Sequence, residues 1–598
     1  MPRLVENVSR PNPDFLGREH EERLIFGITA RFVGAVLLAS LQLWSAAAAS
    51  EGSTEARRTY GQSNAQAAQA STQAAPKDGI ESLSDLQARV NALVSEPRFA
   101  LADWGIDVVS LDTGHVLLEH NACKHLVPAS NAKLFTAALA LDRLGPDYRI
   151  ETAIYSTRKP DASGTIKGNL IVVGKGDPSF TNAGAEPGSF DALLPLVSVL
   201  QAAGVRRVNG NLIGDESYFT GAPFGAGWGW EDLQWSYGAE VSALSIDDNS
   251  VDLSVKPGGR PGAPCPAAVQ PATDLVKVVN RAITTAPSGA KWLRVYRPVG
   301  ENTIFVSGRL PMGDQGYHGH VAIHRPAAMF LQLLRRAMAS RKIFVSGSER
   351  LEDWTDREGS PLDLSKLVLL GTVKSRTIAE IVKDTLKRSQ NLYAQLLLLQ
   401  VGAISAASPA SAAGSPLAAS AGPAPGAGDA QPVSASDGKT QAAGADDSRL
   451  PPTTEEMGLA EMSRFLAELN PCGGDVVLEE GSGLSRRDLV TAAAIVRLLS
   501  WMSRHKCADT FRDSLPLAGK DGTLQRRMKS ALATSDVRAK TGTLKFINAL
   551  SGYATTAAGE RLAFSLIVNN YSGSGVNGPA SADLDTILGL IVSFTGHS

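Results

Sequence analysis

Ser130-Asn131-Ala132-Lys133-Leu134-Phe135-Thr136-Ala137-Ala138-Leu139-Ala140-Leu141-Asp142-Arg143-Leu144-Gly145-Pro146 sets a serine and a lysine three residues apart at the head of an apolar run. The Gly-Pro pair closes that run in the way helices are stopped. Residues three apart share a helix face, so Lys133 can reach the Ser130 hydroxyl and take its proton once its own amine is neutral. Burial, the positive end of a helix and a neighbouring cation all lower a lysine pKa. Backbone N–H groups at the same helix start can stabilise an oxyanion formed when Ser130 attacks a carbonyl. The same serine-lysine spacing recurs at Ser156/Lys159, Ser288/Lys291, Ser436/Lys439 and Ser503/Lys506, but none of these opens a long apolar run. Standing alone, Ser130 and Lys133 would read as a helix cap with a solvated lysine.

The chain has 598 residues, more than one ordinary core accommodates, so several domains are expected. A net charge of -2 carries none of the basic excess that nucleic-acid binding needs. Arg23 and Arg31 precede an apolar run from Phe32 to Trp44, followed by small residues at Ala46 and Ala48. This reads as a secretory signal peptide over 1–48, which would send the protein out of the cytoplasm. A retained anchor is the alternative, against which the run is short of the ~20 residues a spanning helix needs. Peripheral membrane association also stays open.

Residues 49–80 are rich in Ala, Gln, Ser and Thr, a composition expected to form a disordered tether. A second biased stretch, 403–452, is largely Ala, Ser, Gly and Pro and reads as a disordered insertion between folded segments. Thr453 and Glu456 are spaced as a capping box that restarts a helix. Between 155 and 325 short alternating runs such as Leu170–Val173 and Val251–Val255 are punctuated by Gly, Pro and Asn, which are strand and turn signals. The expected fold class is therefore α+β: a helix-rich domain over 81–154 and 326–598, interrupted by a mainly β block, with a second insert at roughly 257–310. Ala549 to Thr555 and Arg561 to Asn569 predict a hairpin about Gly559, and Asp583 to Phe594 a closing helix.

Two more short motifs stand in order after the first. Ser389-Gln390-Asn391 precedes the apolar segment Leu392 to Leu399, and Lys540-Thr541-Gly542-Thr543 precedes the hairpin. With Ser130-Asn131-Ala132-Lys133 they are similar to the three ordered signatures of the penicillin-recognising serine enzymes. Over about 83–598 the chain resembles the class C low-molecular-mass penicillin-binding proteins, the D-alanyl-D-alanine carboxypeptidase/endopeptidase family. Further likenesses are Gly174-Lys-Gly-Asp-Pro178, Gly214-Asp215, Tyr237 to Leu244, Gly481 to Arg486 and Leu517 to Leu524.

The resemblance implies a beta-lactamase/transpeptidase-like domain, an antiparallel sheet with helices on both faces, carrying accessory domains. It implies a serine DD-peptidase that acts on peptidoglycan peptides, needs no cofactor or metal and is acylated by beta-lactams. Ser130 would be the nucleophile and Lys133 its base, with Ser389 and Asn391 relaying protons and holding the substrate amide. Lys540 and Thr541, with Gly542 and Thr543, would bind the substrate end, and the N–H groups of Ser130 and Thr543 would form the oxyanion hole. Gln390 departs from the Asp or Asn common at the middle of the second signature.

Asp232 and Arg486 occupy positions that, in relatives, grip the charged end of the peptide's diamino acid. Trp228, Trp230, Trp235 and Tyr237 surround Asp232 in sequence, either as a pocket floor or as packing between domains. His318, His320 and His324 form a histidine cluster that reads as strand residues. Cys472 and Cys507, flanking one helical segment, are the only candidate disulfide pair. Two other functions stay open beside the peptidase: a catalytically silent scaffold on the same fold, marked by a lost signature, and a beta-lactamase or esterase.

Overall fold

The computed structural model describes residues 80–598 apart from 183–188, 407–450, 470–473, 529–535 and 574–578. The signal peptide and nearly all of the tether and low-complexity insertion fall outside the described residues. Among those described, no helix is long and apolar enough to cross a membrane.

A five-stranded antiparallel sheet organises the catalytic domain, in the order Arg538–Leu544, Ile547–Thr555, Arg561–Asn569, Asp103–Ser110 and Val116–His120. Its central strand, Arg561–Asn569, is buried from Leu562 onward, which an alternating half-polar strand would not be. The pleat explains why. Leu562, Phe564, Leu566 and Val568 enter one core with the helices Leu83–Val94 and Pro579–Val592. Ala563 and Ile567 enter the other, against Lys133–Arg143, Asn391–Ala406 and Ala492–Met502. Both faces are covered by helices, the expected α+β arrangement. The predicted hairpin pairs Thr555 with Arg561 about Gly559, and the closing helix spans Pro579–Val592.

The accessory block is larger than 155–325 and less purely β. It opens at the strand Arg149–Ser156 and closes at Val368–Thr377, which pair with each other in a five-stranded sheet completed by Leu170–Val173, Leu212–Asp215 and Glu349–Glu352. The helix Pro326–Ser340 belongs to this block. Its Met329, Phe330, Leu331 and Leu334 share a core with Ile154, Leu170, Val172 and the helix Leu194–Ala202. An amphipathic helix displays its apolar stripe in sequence but not the core that receives it, so the block ends at Thr377 and not at the expected 325. The region 257–310 holds the mixed sheet Lys277–Thr285, Thr303–Pro311 and Trp292–Tyr296.

Cys507 is a buried free thiol whose Sγ lies 3.9 Å from the Leu141 carbonyl oxygen, and it does not form the expected bridge to Cys472. Cys472 lies outside the described residues. His320 and His324 each face one carboxylate, Asp252 and Glu240. Among the described residues no group of three His, Cys, Asp or Glu side chains converges as a metal site.

Phe330 is fully buried and meets the Phe180 ring edge-on at 5.4 Å. Phe330→Ala is expected to destabilise the accessory block by about 3–5 kcal/mol. Calorimetry should show a lowered transition, and limited proteolysis should cut first within 149–377.

Candidate active site

Ser130 does not sit in the α-helix itself. It lies in the 3-10 turn Ala129–Ala132, and the α-helix begins at Lys133. A 3-10 turn has three residues per turn, so side chains at i and i+3 eclipse and the serine and lysine align more closely than in an α-helix. Ala129, just before the nucleophile, holds a left-handed φ of 48°. Such strain in a non-glycine residue persists only where the surroundings impose it. Here Asn131 anchors the turn to the sheet, its Nδ2 donating to Ser551 Oγ at 2.7 Å. Gly483 packs on the other side. A Cβ at Gly483 would stand 2.0 Å from the Ala129 carbonyl oxygen, and its φ is +79°, so only glycine fits.

Lys133 is fully buried, and its Nζ has three neighbours: Ser130 Oγ at 2.9 Å, Asn391 Oδ1 at 2.5 Å and the Ser482 carbonyl oxygen at 2.6 Å. A neutral amine has two N–H bonds and one lone pair. Donating to the amide and carbonyl oxygens, which are acceptors only, leaves the lone pair aimed at Ser130, whose O–H can donate. Burial pushes the Lys133 amine down to about 7, against an opposing pull from Glu480 and Asp488. The arrangement presents a base at neutral pH.

The second signature joins the two lysines. Ser389 Oγ accepts from Lys540 Nζ at 2.8 Å, while Asn391 accepts from Lys133. Ser389 too is left-handed, φ 58°, held between the Arg388–Asp248 ion pair and the helix that starts at Asn391. Asn391 Nδ2 donates to the Tyr237 carbonyl oxygen at 2.8 Å, tying the accessory block to the base. Gln390 is half-buried and its N–H donates to the Thr385 carbonyl oxygen.

Lys540 is also fully buried, and burial followed by the nearby Lys133 charge holds its amine well below the ordinary lysine range. Its strand, Arg538–Leu544, is the sheet edge. The Ala539 N–H points outward to the Pro516 carbonyl oxygen. N–H direction alternates along a strand, so Thr541 and Thr543 turn theirs to that same open side. Thr541 Oγ1 donates to Thr523 Oγ1 at 2.8 Å, and Gly542 packs its backbone on Pro128 and Ala129.

Asp232 and Arg486 come within electrostatic reach of one another. Burial raises the Asp232 carboxyl, and its hydrogen bond with the Tyr237 side chain and the Arg486 charge oppose that rise. Arg486 Nη1 donates to the Lys545 carbonyl oxygen at 3.2 Å.

Sequence reasoning missed Glu480 and Asp488. Glu480 is fully buried, and its carboxylate accepts from the backbone N–H groups of Ser482 at 2.6 Å, Gly483 at 2.5 Å and Leu484 at 2.9 Å. It thereby shapes the loop that offers the Ser482 carbonyl to Lys133. Asp488, beside it, is held well above the usual carboxylate range by burial and then by the Glu480 charge. The only sequence signal was an acidic residue directly before Gly481-Ser482-Gly483, where small residues let consecutive N–H groups converge on an anion.

Fold and site together define a serine hydrolase of the transpeptidase-like class. The chain belongs to the D-Ala-D-Ala carboxypeptidase 3 (S13) family, whose model matches residues 86–420 and 442–588. It is 31% identical over 527 residues to a D-alanyl-D-alanine carboxypeptidase of Actinomadura sp. (strain R39), covering 86% of each chain. To the D-alanyl-D-alanine carboxypeptidase DacB of Haemophilus influenzae it is 25% identical over 471 residues, covering 78% of this chain and 85% of the relative. The crystal structure of penicillin binding protein 4 (dacB) from Haemophilus influenzae superposes with a TM-score of 0.64 at 24% identity, covering 83% of this chain and 97% of that one. A second structure of that protein, complexed with a novel beta-lactam, gives 0.61 at 22% identity, covering 84% and 97%.

The acylation rate should fall about tenfold per pH unit below about pH 7, as Lys133 takes up a proton, and level off above it; stopped-flow acylation across roughly pH 5–9 would record it. Glu480→Gln turns an N–H donor toward backbone donors and should destabilise the fold by about 1–3 kcal/mol while slowing acylation; denaturant titration and acylation kinetics would show both.

Proposed function

We propose that this chain is a serine DD-peptidase that cleaves the bond after a penultimate D-Ala in peptidoglycan peptides, at D-Ala-D-Ala termini or D-Ala cross-links. The single observation that carries the reading is the Ser130–Lys133 contact of 2.9 Å with the other two Lys133 neighbours both acceptors. Ser130 Oγ attacks the carbonyl carbon as its proton passes to Lys133 Nζ. The oxyanion is stabilised by the N–H groups of Ser130 and Thr543. Lys540, Thr541 and Thr543 hold the terminal carboxylate. The proton then reaches the departing amine through Ser389, and water frees the peptidyl ester by the reverse relay.

A beta-lactam follows the same first step, but its leaving group stays tethered and obstructs the water. Asp232 and Arg486, opposite charges facing one cleft, suit the amine and carboxylate at the end of a diamino-acid side chain. The signatures at 130, 389 and 540 keep their contacts, which argues against a silent scaffold. The charged head and apolar run at 23–44 support action outside the cytoplasm.

Intact-protein mass after exposure to benzylpenicillin tests the reading. One adduct on the wild type and none on Ser130→Ala is the expected result, together with release of D-Ala from a D-Ala-D-Ala peptide by the wild type alone. Rapid drug hydrolysis without an adduct would instead identify a beta-lactamase, and neither adduct nor turnover a scaffold.

A further inference from the structure

The mixed sheet at 277–311 has one face in the core, through Ala282, Ile304, Val306 and Leu310. Its other face meets solvent with side chains that a solvated sheet does not normally show. The cross-strand register sets them in three rows: Val279, Phe305 and Tyr296; Arg281, Ser307 and Arg294; Ile283, Arg309 and Trp292. Trp292 is 50% exposed, Tyr296 48% and Phe305 37%. The Tyr296 and Phe305 rings lie 6.4 Å apart at 26°, nearly parallel, so they form a flat ledge.

Charge on this face has one sign. Lys277, Arg281, Arg294 and Arg309 are exposed, and the three strands contain no Asp or Glu. Among the described residues none of these four cations forms an ion pair, whereas neighbouring Lys291 and Arg336 each hold an aspartate. In a chain with 60 acidic and 58 basic residues, four unpaired cations between bare aromatics form a complementary surface awaiting an anion.

The sheet is also clamped to the catalytic cleft. Arg297, next after Tyr296, is 3% exposed; its Nη2 donates to the Leu233 carbonyl oxygen and its N–H to Gln234 Oε1. Leu233 follows Asp232, the cleft residue. Whatever lies on the ledge is therefore held in fixed relation to the cleft wall.

We propose that this face docks the glycan–peptide polymer of the cell wall, as a surface separate from the catalytic cleft. The identity of the polymer rests on the DD-peptidase reading. Sugar rings present flat C–H faces that stack on aromatic side chains, and peptide stems carry carboxylates that guanidinium groups bind bidentately. Cations interrupt the apolar rows, so the ledge lacks the continuous apolar surface that inserts into a lipid bilayer. Holding the polymer here raises the local concentration of its stems at the cleft.

Co-sedimentation of the full chain with purified wall sacculi, in the Ser130→Ala background to prevent digestion, tests the proposal. Combining Trp292→Ala, Tyr296→Ala and Arg294→Ser should weaken sedimentation about tenfold. A second variant, Arg281→Glu with Arg294→Glu, should do the same without removing a ring, guarding against a folding artefact. With Ser130 intact, the triple variant should release D-Ala from a soluble peptide at an unchanged rate and from sacculi more slowly. Undiminished sacculus binding by both variants would overturn the proposal. So would binding to phosphatidylglycerol vesicles in place of sacculi, which would mark a membrane surface. Failure of the wild type on the soluble peptide, with sacculus binding intact, would overturn the peptidase reading alone.

Discussion

A lysine amine with no exposure to water sits beside the nucleophile, and most of the catalytic domain's construction answers to that one constraint. Moving the amine from its ordinary range to about 7 corresponds to roughly 5 kcal/mol of preference for the neutral form. A buried ammonium without partners would be far costlier, so the surroundings must serve the neutral base while tolerating the charged intermediate that appears when Ser130 gives up its proton. Three oxygens from three separate chain segments, at 130, 391 and 482, meet this need. Glu480, remote from Lys133 along the chain but near it in space, acts on the amine through its charge without touching it.

Holding three segments within hydrogen-bond reach of one atom demands rigid supports. The turn at Ala129 and the residue Ser389 both adopt left-handed conformations, and each is pinned by a contact from a distant element: Asn131 to Ser551, and Ser389 to Lys540. The loop at 481–485 is fixed at its first residue from two helices, Thr136 Oγ1 donating to the Gly481 carbonyl oxygen and Gln395 Oε1 accepting from the Gly481 N–H. Local strain is thus concentrated at the reacting groups and opposed by the helices and sheet around them.

The accessory block shares in this arrangement. Through Tyr237 it contributes the backbone oxygen that orients Asn391, and through the Leu233–Gln234 loop it is locked to its own outer sheet. The insertion is consequently part of the site and not an appendage, and it brings Asp232 within electrostatic reach of Arg486, far from it in sequence.

The sequence by itself determined the three short motifs that the fold brings together: serine and lysine three apart, Ser389 with Asn391, and Lys540-Thr541-Gly542-Thr543. It also determined the hairpin and closing helix of the catalytic sheet, whose periodicities are local. The block's true limits, 149 and 377, were not legible, since strand pairing between Arg149–Ser156 and Val368–Thr377 spans more than two hundred residues and leaves no local trace. Glu480 and Asp488 were not legible for another reason: an ordinary acid becomes significant only once burial removes water from it. What only the tertiary structure decided was where water is excluded, and it is that exclusion, acting on Lys133, Lys540, Glu480 and Asp488 together, which turns common side chains into a base and its supports.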